Sequence, residues 1–342
     1  MRKVHLFILG LLATALHGLA QSPAAPHPIV TVLPQRAFPK TIPPGNYSGI
    51  AWLGGERYAV VSDKSEEDGF FVFEIKTDSL TGELLSARNT GFHGCGLPNR
   101  DDEGIAYCPQ QETVWISGEA DNHLREYTLD GRRTGRDVAP TGVYRHLGAN
   151  LGLEALTYHA TSRTLWTCNE SDTVFIQSYD SLLHPRQCLR YRLDAPVGDA
   201  RKAHSHAHGI GTLCALDDGS LLLLEREFWV PRAKLGAFVN CKLFHLTPPP
   251  AKQGNGPAAP MDAPGKTLVA EWRTRLTLAG RSLANYEGMC LGPTLADGSR
   301  VIVLVADSQN QYGGVLKDWI KTLRLAPQQT SAARRALSAG RP

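Results

Sequence analysis

Asp101-Asp102-Glu103-Gly104-Ile105-Ala106, followed by Val114-Trp115-Ile116-Ser117-Gly118-Glu119, is the stretch on which the fold turns. A polar or acidic start leads into a short apolar run. A turn follows, and a second apolar run ends in a carboxylate. The unit recurs four more times. Its other starts are NYSGIA (46–51), LGLEAL (151–156), HAHGIG (206–211) and NYEGMC (285–290), and its other second runs are YAVVSD (58–63), LWTCNE (165–170), LLLLE (221–225) and VIVLVAD (301–307). The first four starts are spaced by about 50 to 55 residues and the last gap is about 79, most of the excess falling in the Pro/Gly/Ala-rich residues 248–265. A period near 50 with several short strands per unit matches one blade of a propeller. Third runs at 70–75 and 124–129 also read as strands; the latter alternates in the period of a half-buried strand and ends at an Asp130-Gly131 turn. The expectation is an all-β β-propeller of about five or six blades. A sixth blade would come from less regular sequence, with residues 29–33 closing the ring against a C-terminal strand near Leu323. A β-sandwich does not explain acid-ended strand pairs at this period.

The first residues speak to compartment. Arg2 and Lys3, an apolar run over 6–16 and Gly18-Leu19-Ala20 before Gln21 form a signal-peptide pattern over 1–20. The expected destination is the periplasm or the exterior. The propeller domain is expected over 27–326 and a solvated tail over 327–342. Nothing later is long and apolar enough to span a bilayer. The net charge of +3 and the scattered Lys and Arg do not suggest a nucleic-acid partner. The seven cysteines are an odd number in a compartment that tolerates disulfides. Cys95 and Cys108 are placed to pair across a short loop, while Cys168, Cys214 and Cys290 sit in apolar runs as small hydrophobes.

Equivalent positions in a propeller converge on one axis. Glu103, Glu154 and Glu287 hold one place in their units, with Ser48 and His208 there in the first and fourth. Asp63, Glu119, Glu170, Glu225 and Asp307 end the second runs. Two rings of acids near one mouth of the channel are therefore expected. Like charges held together need a cation, a shared proton or basic partners. A hard cation takes several carboxylate oxygens, which makes Ca²⁺ the candidate, with Mg²⁺ or no metal as alternatives. In the competing reading each acid caps its own loop or pairs with an Arg. Lys64 and Arg226 stand beside the acids and suit the anion of a substrate; Arg100 stands beside Asp101 and Asp102, as a capture residue or a local ion pair. His204-Ser205-His206-Ala207-His208 would put three imidazoles on one face of an extended strand, or lie in a polar loop. No G-x-S-x-G, P-loop or dinucleotide fingerprint is present.

The succession SGIA…VSDK, DEGIA…WISGE, LEALT…WTCNE, LLLERE and YEGM…VADS, running from 48 to 308, resembles the phytase-like, "esterase-like activity of phytase" family. The resemblance implies an exported propeller and hydrolysis of esters, including phosphate esters. It carries over onto Glu103, Glu154, Glu287, Glu119, Glu170, Glu225 with Arg226, and Asp307. The first and fourth units depart from it at Ser48 and His208.

Two functions follow as expectations. One is metal-assisted hydrolysis of a small anionic ester: Glu103, Glu154 and Glu287 carry the chemistry. Arg226 and Lys64 hold the substrate, and Asp63, Glu119, Glu170, Glu225 and Asp307 hold the metal. The other is a binding module without chemistry, in which Trp115, Trp166, Phe228 and Trp229 form a contact surface; the competing role is blade core, which suits Trp115 and Trp166 better. Oligomeric state is left open.

Overall fold

The run Leu221-Leu222-Leu223-Leu224 is buried throughout, and its alternate side chains enter two different cores. Leu221 and Leu223 pack toward the preceding blade, Leu222 and Leu224 toward the following one. A strand covered on both faces reads as a continuous apolar run, and this arrangement recurs around the ring. The computed structural model describes residues 27–147, 151–171, 173–251 and 259–327. The expected signal segment and nearly all of the expected tail lie outside the described residues.

Strand β1 (Val30–Ala37) precedes the first blade, which contains β2 (Tyr47–Gly54), β3 (Arg57–Ser62), β4 (Glu67–Thr77) and β5 (Leu84–Pro98). The second blade contains β6 (Asp102–Cys108), β7 (Thr113–Gly118), β8 (His123–Thr128) and β9 (Arg133–Val138). The third contains β10 (Leu153–His159), β11 (Thr164–Asn169), β12 (Val174–Tyr179) and β13 (Pro185–Tyr191). The fourth is β14 (Ala203–Ala215), β15 (Leu221–Pro231) and β16 (Phe238–Leu246), completed by β18 (Thr267–Arg275). Between the last two, the long connection adds β17 (Met261–Asp262) parallel to β13, at the edge of the third blade. The fifth blade is β19 (Asn285–Thr294), β20 (Arg300–Asp307) and β21 (Trp319–Leu325), with β1 as its outer strand.

The ring therefore has five blades, and no sixth exists among the described residues. The expected closure pairs Val32 with Leu323, and it completes the fifth blade rather than founding another. Innermost strands β2, β6, β10, β14 and β19 contact one another in that cyclic order. Five apolar cores fill the gaps between successive blades. Trp115 and Trp166 lie in one such core each, as the sequence suggests. All seven cysteines are free; Cys95 and Cys108 are separated because they belong to different cores.

The inner strands approach one another closely at glycines. A Cβ on Gly104 would lie 2.5 Å from the backbone nitrogen of Leu156; one on Gly49 would lie 2.8 Å from the Glu103 carbonyl oxygen. Neither partner is a side chain that can swing away. Gly104→Ala is expected to cost roughly 1–3 kcal/mol in urea unfolding, as overpacking does. Gly265→Ala, which meets nothing within 4 Å, is the control and should stay within about 0.5 kcal/mol.

Candidate functional site at the channel mouth

Each innermost strand carries a β-bulge near one end of the channel. The register skips one residue between Tyr47 and Gly49, Asp102 and Gly104, Leu153 and Ala155, Ile210 and Thr212, and Tyr286 and Gly288. The extra residues are Ser48, Glu103, Glu154, Gly211 and Glu287. A bulge re-aims the extra side chain, and here it carries three glutamates to the axis. Ser48 instead donates its hydroxyl to the Asp102 carbonyl, 2.7 Å away, tying the first blade to the second. In register with the bulges, the second strands deliver Asp63, Glu119, Glu170, Arg226 and Asp307.

This register corrects the fourth unit twice. Gly211, not His208, holds the bulge position. Arg226, not Glu225, holds the place of the ring acids. Side chains alternate along a strand, so a shift of one residue changes the face. Glu225 is turned away from the mouth cavity and only 2% exposed. It accepts from the Tyr191 hydroxyl (2.8 Å) and the Asp194 amide (3.1 Å) and pairs with Lys266. It does not join the acids at the channel mouth. The two fourth-blade changes lie side by side: a Cβ on Gly211 would sit 2.8 Å from the Tyr286 carbonyl oxygen and 3.1 Å from Arg226 Nε. The guanidinium fills space that a bulge glutamate uses in other blades.

Asp63, Glu103, Glu119, Glu154, Glu170, Arg226, Glu287 and Asp307 line one cavity of about 480 Å³. The two expected rings are interleaved rather than stacked. Asp63, Asp101 and Glu103 bring oxygens to within 4.8 Å of one another, and Glu119, Glu154 and Glu170 do the same. Asp101 was missed as a member by sequence reasoning; an acid doublet was its only signal. A left-handed backbone (φ 57°) turns it, and Asn99 Oδ1 accepts from its amide at 2.7 Å. Lys64 stands at the rim, 60% exposed, paired with Asp63 (3.0 Å) and Asp101. Arg100 points into the blade, where Asp68 (3.2 Å), Asp102 (3.4 Å) and Asp121 (3.0 Å) hold it as a structural ion-pair network.

Arg226 is buried and committed. Its guanidinium lies 3.0 Å from Glu287, 3.6 Å from Glu170 and 3.7 Å from Glu154, and it donates to Asn285 Oδ1 at 2.6 Å. Asn285 in turn donates to Glu287 at 2.7 Å. One cation cannot offset so many acids. Burial, then Glu154, Glu287, Asp63 and Glu119, push the Glu103 carboxyl far above the usual carboxylate range. No described residue hydrogen-bonds to the Glu103 carboxyl or pairs with it. Burial, Glu170 and Glu287 raise Glu154 despite Arg226. Burial pushes Glu287 up to about 8 and Asp307 up to about 6. Both Asp63 and Glu119 are raised, chiefly by burial.

The donor set fits a hard divalent cation: it is all oxygen, and the buried Asp63 Oδ1 has no hydrogen-bond partner. Of the three histidines, His206 and His208 share a face at Glu227 and His204 does not join them. His204 lines the cavity, whereas His206 Nε2 bonds Glu227 at 3.1 Å and His208 lies with Glu225 and Glu227. The bulge between Ala203 and Ser205 sets His204 apart from the other two. Phe228 lines the cavity, while Trp229 stacks on Phe238 with ring centroids 5.3 Å apart. No helix among the described residues is long and apolar enough to cross a membrane.

A five-bladed propeller with a carboxylate-walled mouth is the class that fold and site define. The family model described as "Phytase-like: Esterase-like activity of phytase" matches residues 42–309, and the chain belongs to that family. No curated protein matches the sequence. Among solved structures, a luciferin-regenerating enzyme is similar at TM-score 0.41 and 10% identity, over 88% of this chain and 95% of its own. A streptogramin B lyase is similar at 0.40 and 12%, over 86% and 98%. Hydrazine synthase of Kuenenia stuttgartiensis is similar at 0.38 and 8%, over 84% and 88%.

Glu103, Glu154 and Glu287 bind protons more tightly folded than unfolded. Their contribution to the stability of the cation-free protein is therefore complete below the ordinary carboxylate range, about 4, and is lost as pH climbs through the raised values, about 8 for Glu287. A cation competes for the same oxygens and binds better as protons leave. Chelator-treated protein should melt lower at about pH 8.5 than at about pH 6, and excess calcium should raise Tm by several degrees at the higher pH but little near pH 5. A Tm indifferent to calcium at every pH would rule out the cation site. Glu225→Gln should destabilise the fold yet keep the calcium response, while Glu154→Gln should diminish that response.

Proposed function

We propose that this protein is an exported, cation-assisted hydrolase of small anionic esters, with its site at the carboxylate-walled mouth. The observation that carries the reading is the meeting of seven carboxylates and one buried arginine in a single cavity of about 480 Å³, a size ordinary for small-molecule sites. Family membership agrees with esterase chemistry, and the basic, apolar, small-residue pattern of residues 1–20 supports export.

Glu119, Glu154 and Glu170 would hold the cation, with calcium the first choice and magnesium the second, which leaves Glu103 free for the chemistry. When bound, it supplies positive charge that polarises an ester or phosphoryl oxygen. Glu103 is the best base: its carboxyl opens to the cavity and has no described partner. As a carboxylate it accepts a proton from water, whose oxygen then bonds to the acyl or phosphoryl centre while the ester oxygen departs as an alcohol, reprotonated from a neighbouring carboxyl. Arg226 holds Glu154, Glu170 and Glu287 in place. Lys64 and Arg226 are both committed to carboxylates, so a substrate anion reaches them only once the acids' charge is offset.

Purified protein assayed on aryl acetates and aryl phosphates, with calcium and with chelator, tests this. Calcium-dependent turnover is expected, and Glu103→Gln should lower kcat/KM by about 100-fold or more while Tm is retained. Undiminished turnover in that variant would remove Glu103 from the chemistry. Ligand-induced stabilisation with no turnover would favour the binding module instead.

A further inference from the structure

The mouth cavity is chemically two-sided. Its carboxylates come from the first three blades and from β19 and β20. The remaining wall comes from the fourth blade and the connections around the fifth; its apolar part is Phe228, Val230, Leu276, Leu283, Val315 and Leu316, and His204, Lys234, Gln309 and Tyr312 are its polar members. Leu283 and Leu316 are 2% and 3% exposed and belong to the core between the fourth and fifth blades; the other four apolar residues pack against that core. The wall is thus the open edge of a packed core, formed before any ligand arrives. It exists because β14 and β15 run past the bulge, pairing as far as Ala203 with Pro231. Ser205, Ala207, Phe228 and Val230 from this extension reach the cavity.

Cations are scarce here. Arg226 is held by three glutamates, and Lys234 lies over the Tyr312 ring, 5.8 Å from its centroid. A polyphosphorylated ligand would meet a bank of carboxylates on one side and, on the other, a mainly apolar surface where Lys234 and a few neutral polar groups are too few to bond several phosphates. Unpaired charge left against apolar surface is costly, whereas apolar surface against that wall is favourable.

We infer that this site takes a ligand with one anionic or ester head and an apolar body of several carbons, the body lying on the Phe228 wall, and that it discriminates against polyphosphates such as inositol hexakisphosphate. The inference rests on the reading that a cation offsets the acids. Calorimetric titration of the calcium-loaded protein with methyl-, butyl- and hexylphosphonate and with inositol hexakisphosphate tests it without needing turnover.

Affinity should rise roughly three- to fourfold per added methylene, and hexylphosphonate should bind more tightly than inositol hexakisphosphate. Phe228→Ser should flatten the chain-length series, with Val315→Ser as a second variant should the first fail to fold. A flat series, no binding of any phosphonate, or tightest binding of the hexakisphosphate would overturn the inference. Ester turnover on the same preparation separates the two ideas. Length-dependent binding without turnover removes the hydrolase reading and leaves the ligand class; turnover with a flat series does the reverse.

Discussion

Everything at the mouth depends on the bulge that each innermost strand carries. The extra residue in β2, β6, β10, β14 and β19 breaks strict alternation for one position. Without it, Glu103, Glu154 and Glu287 would follow their strands' alternation and face the apolar gaps between blades. The residue after the bulge must then be small where the next strand crosses, because Gly49, Gly104 and Gly288 face neighbouring backbone at 3.0 Å or less. In the second and fifth blades acid and glycine are therefore two halves of one device, Glu103 with Gly104 and Glu287 with Gly288. There the acid is what the bulge exposes, and the glycine is what lets the neighbouring backbone approach; Ala155 and Thr212 stand at that place in the third and fourth blades.

Closing the ring gathers charge that the fold has to tolerate. The fourth blade answers with two adjacent changes, Gly211 at the bulge and Arg226 at the second-strand end. Gly211 leaves room for both the Tyr286 carbonyl, 2.8 Å from where a Cβ would sit, and the Arg226 side chain, 3.1 Å from it. Even so, Arg226 neutralises only part of the cluster, which is why Glu154 and Glu287 hold protons far above the ordinary range beside it. Burial raises the cost of each uncompensated charge. A site so built is either protonated or cation-filled, and the balance between those states turns on pH.

Much of the fold could be read from the repeats, because strand pairs ending in acids recur at nearly constant spacing. The blade cores were legible for the same reason: runs such as LLLL at 221–224 declare burial on both faces. The fourth unit was not legible. HGIG at 208–211 offers two glycines around one isoleucine, and matching the first to Gly104 misplaces the bulge by three residues. In LLLLERE, acids flank Arg226 on both sides, so choosing the acid over the arginine is a shift of one and a change of face. Only pairing fixes such a register, since Ile210 opposes Glu225. Of the three histidines, His206 and His208 keep the expected common face, and His204 leaves it because a second bulge at the hairpin's far end is invisible to a period-2 rule. Asp101 depends on a left-handed backbone that the sequence marks only as a polar turn.

The channel is not a pore, and this bears on how its acids behave. Between the two mouths the bulges draw the inner strands together, leaving only a small gap lined by Ser48, Glu103, Ala155, Thr212, Glu287 and their neighbours. The opposite mouth is a separate cavity of about 550 Å³, lined largely by apolar residues from the far halves of the same strands. The acidic mouth is thus a blind cup with a closed floor. Water reaches Glu103 from one side only, and the apolar edge of the fourth and fifth blades forms part of the rim. Charges at the base of such a cup are screened less than charges on an open surface. The constraint that packs the blades therefore also keeps these carboxylates interacting strongly with one another and with whatever cation or ligand enters.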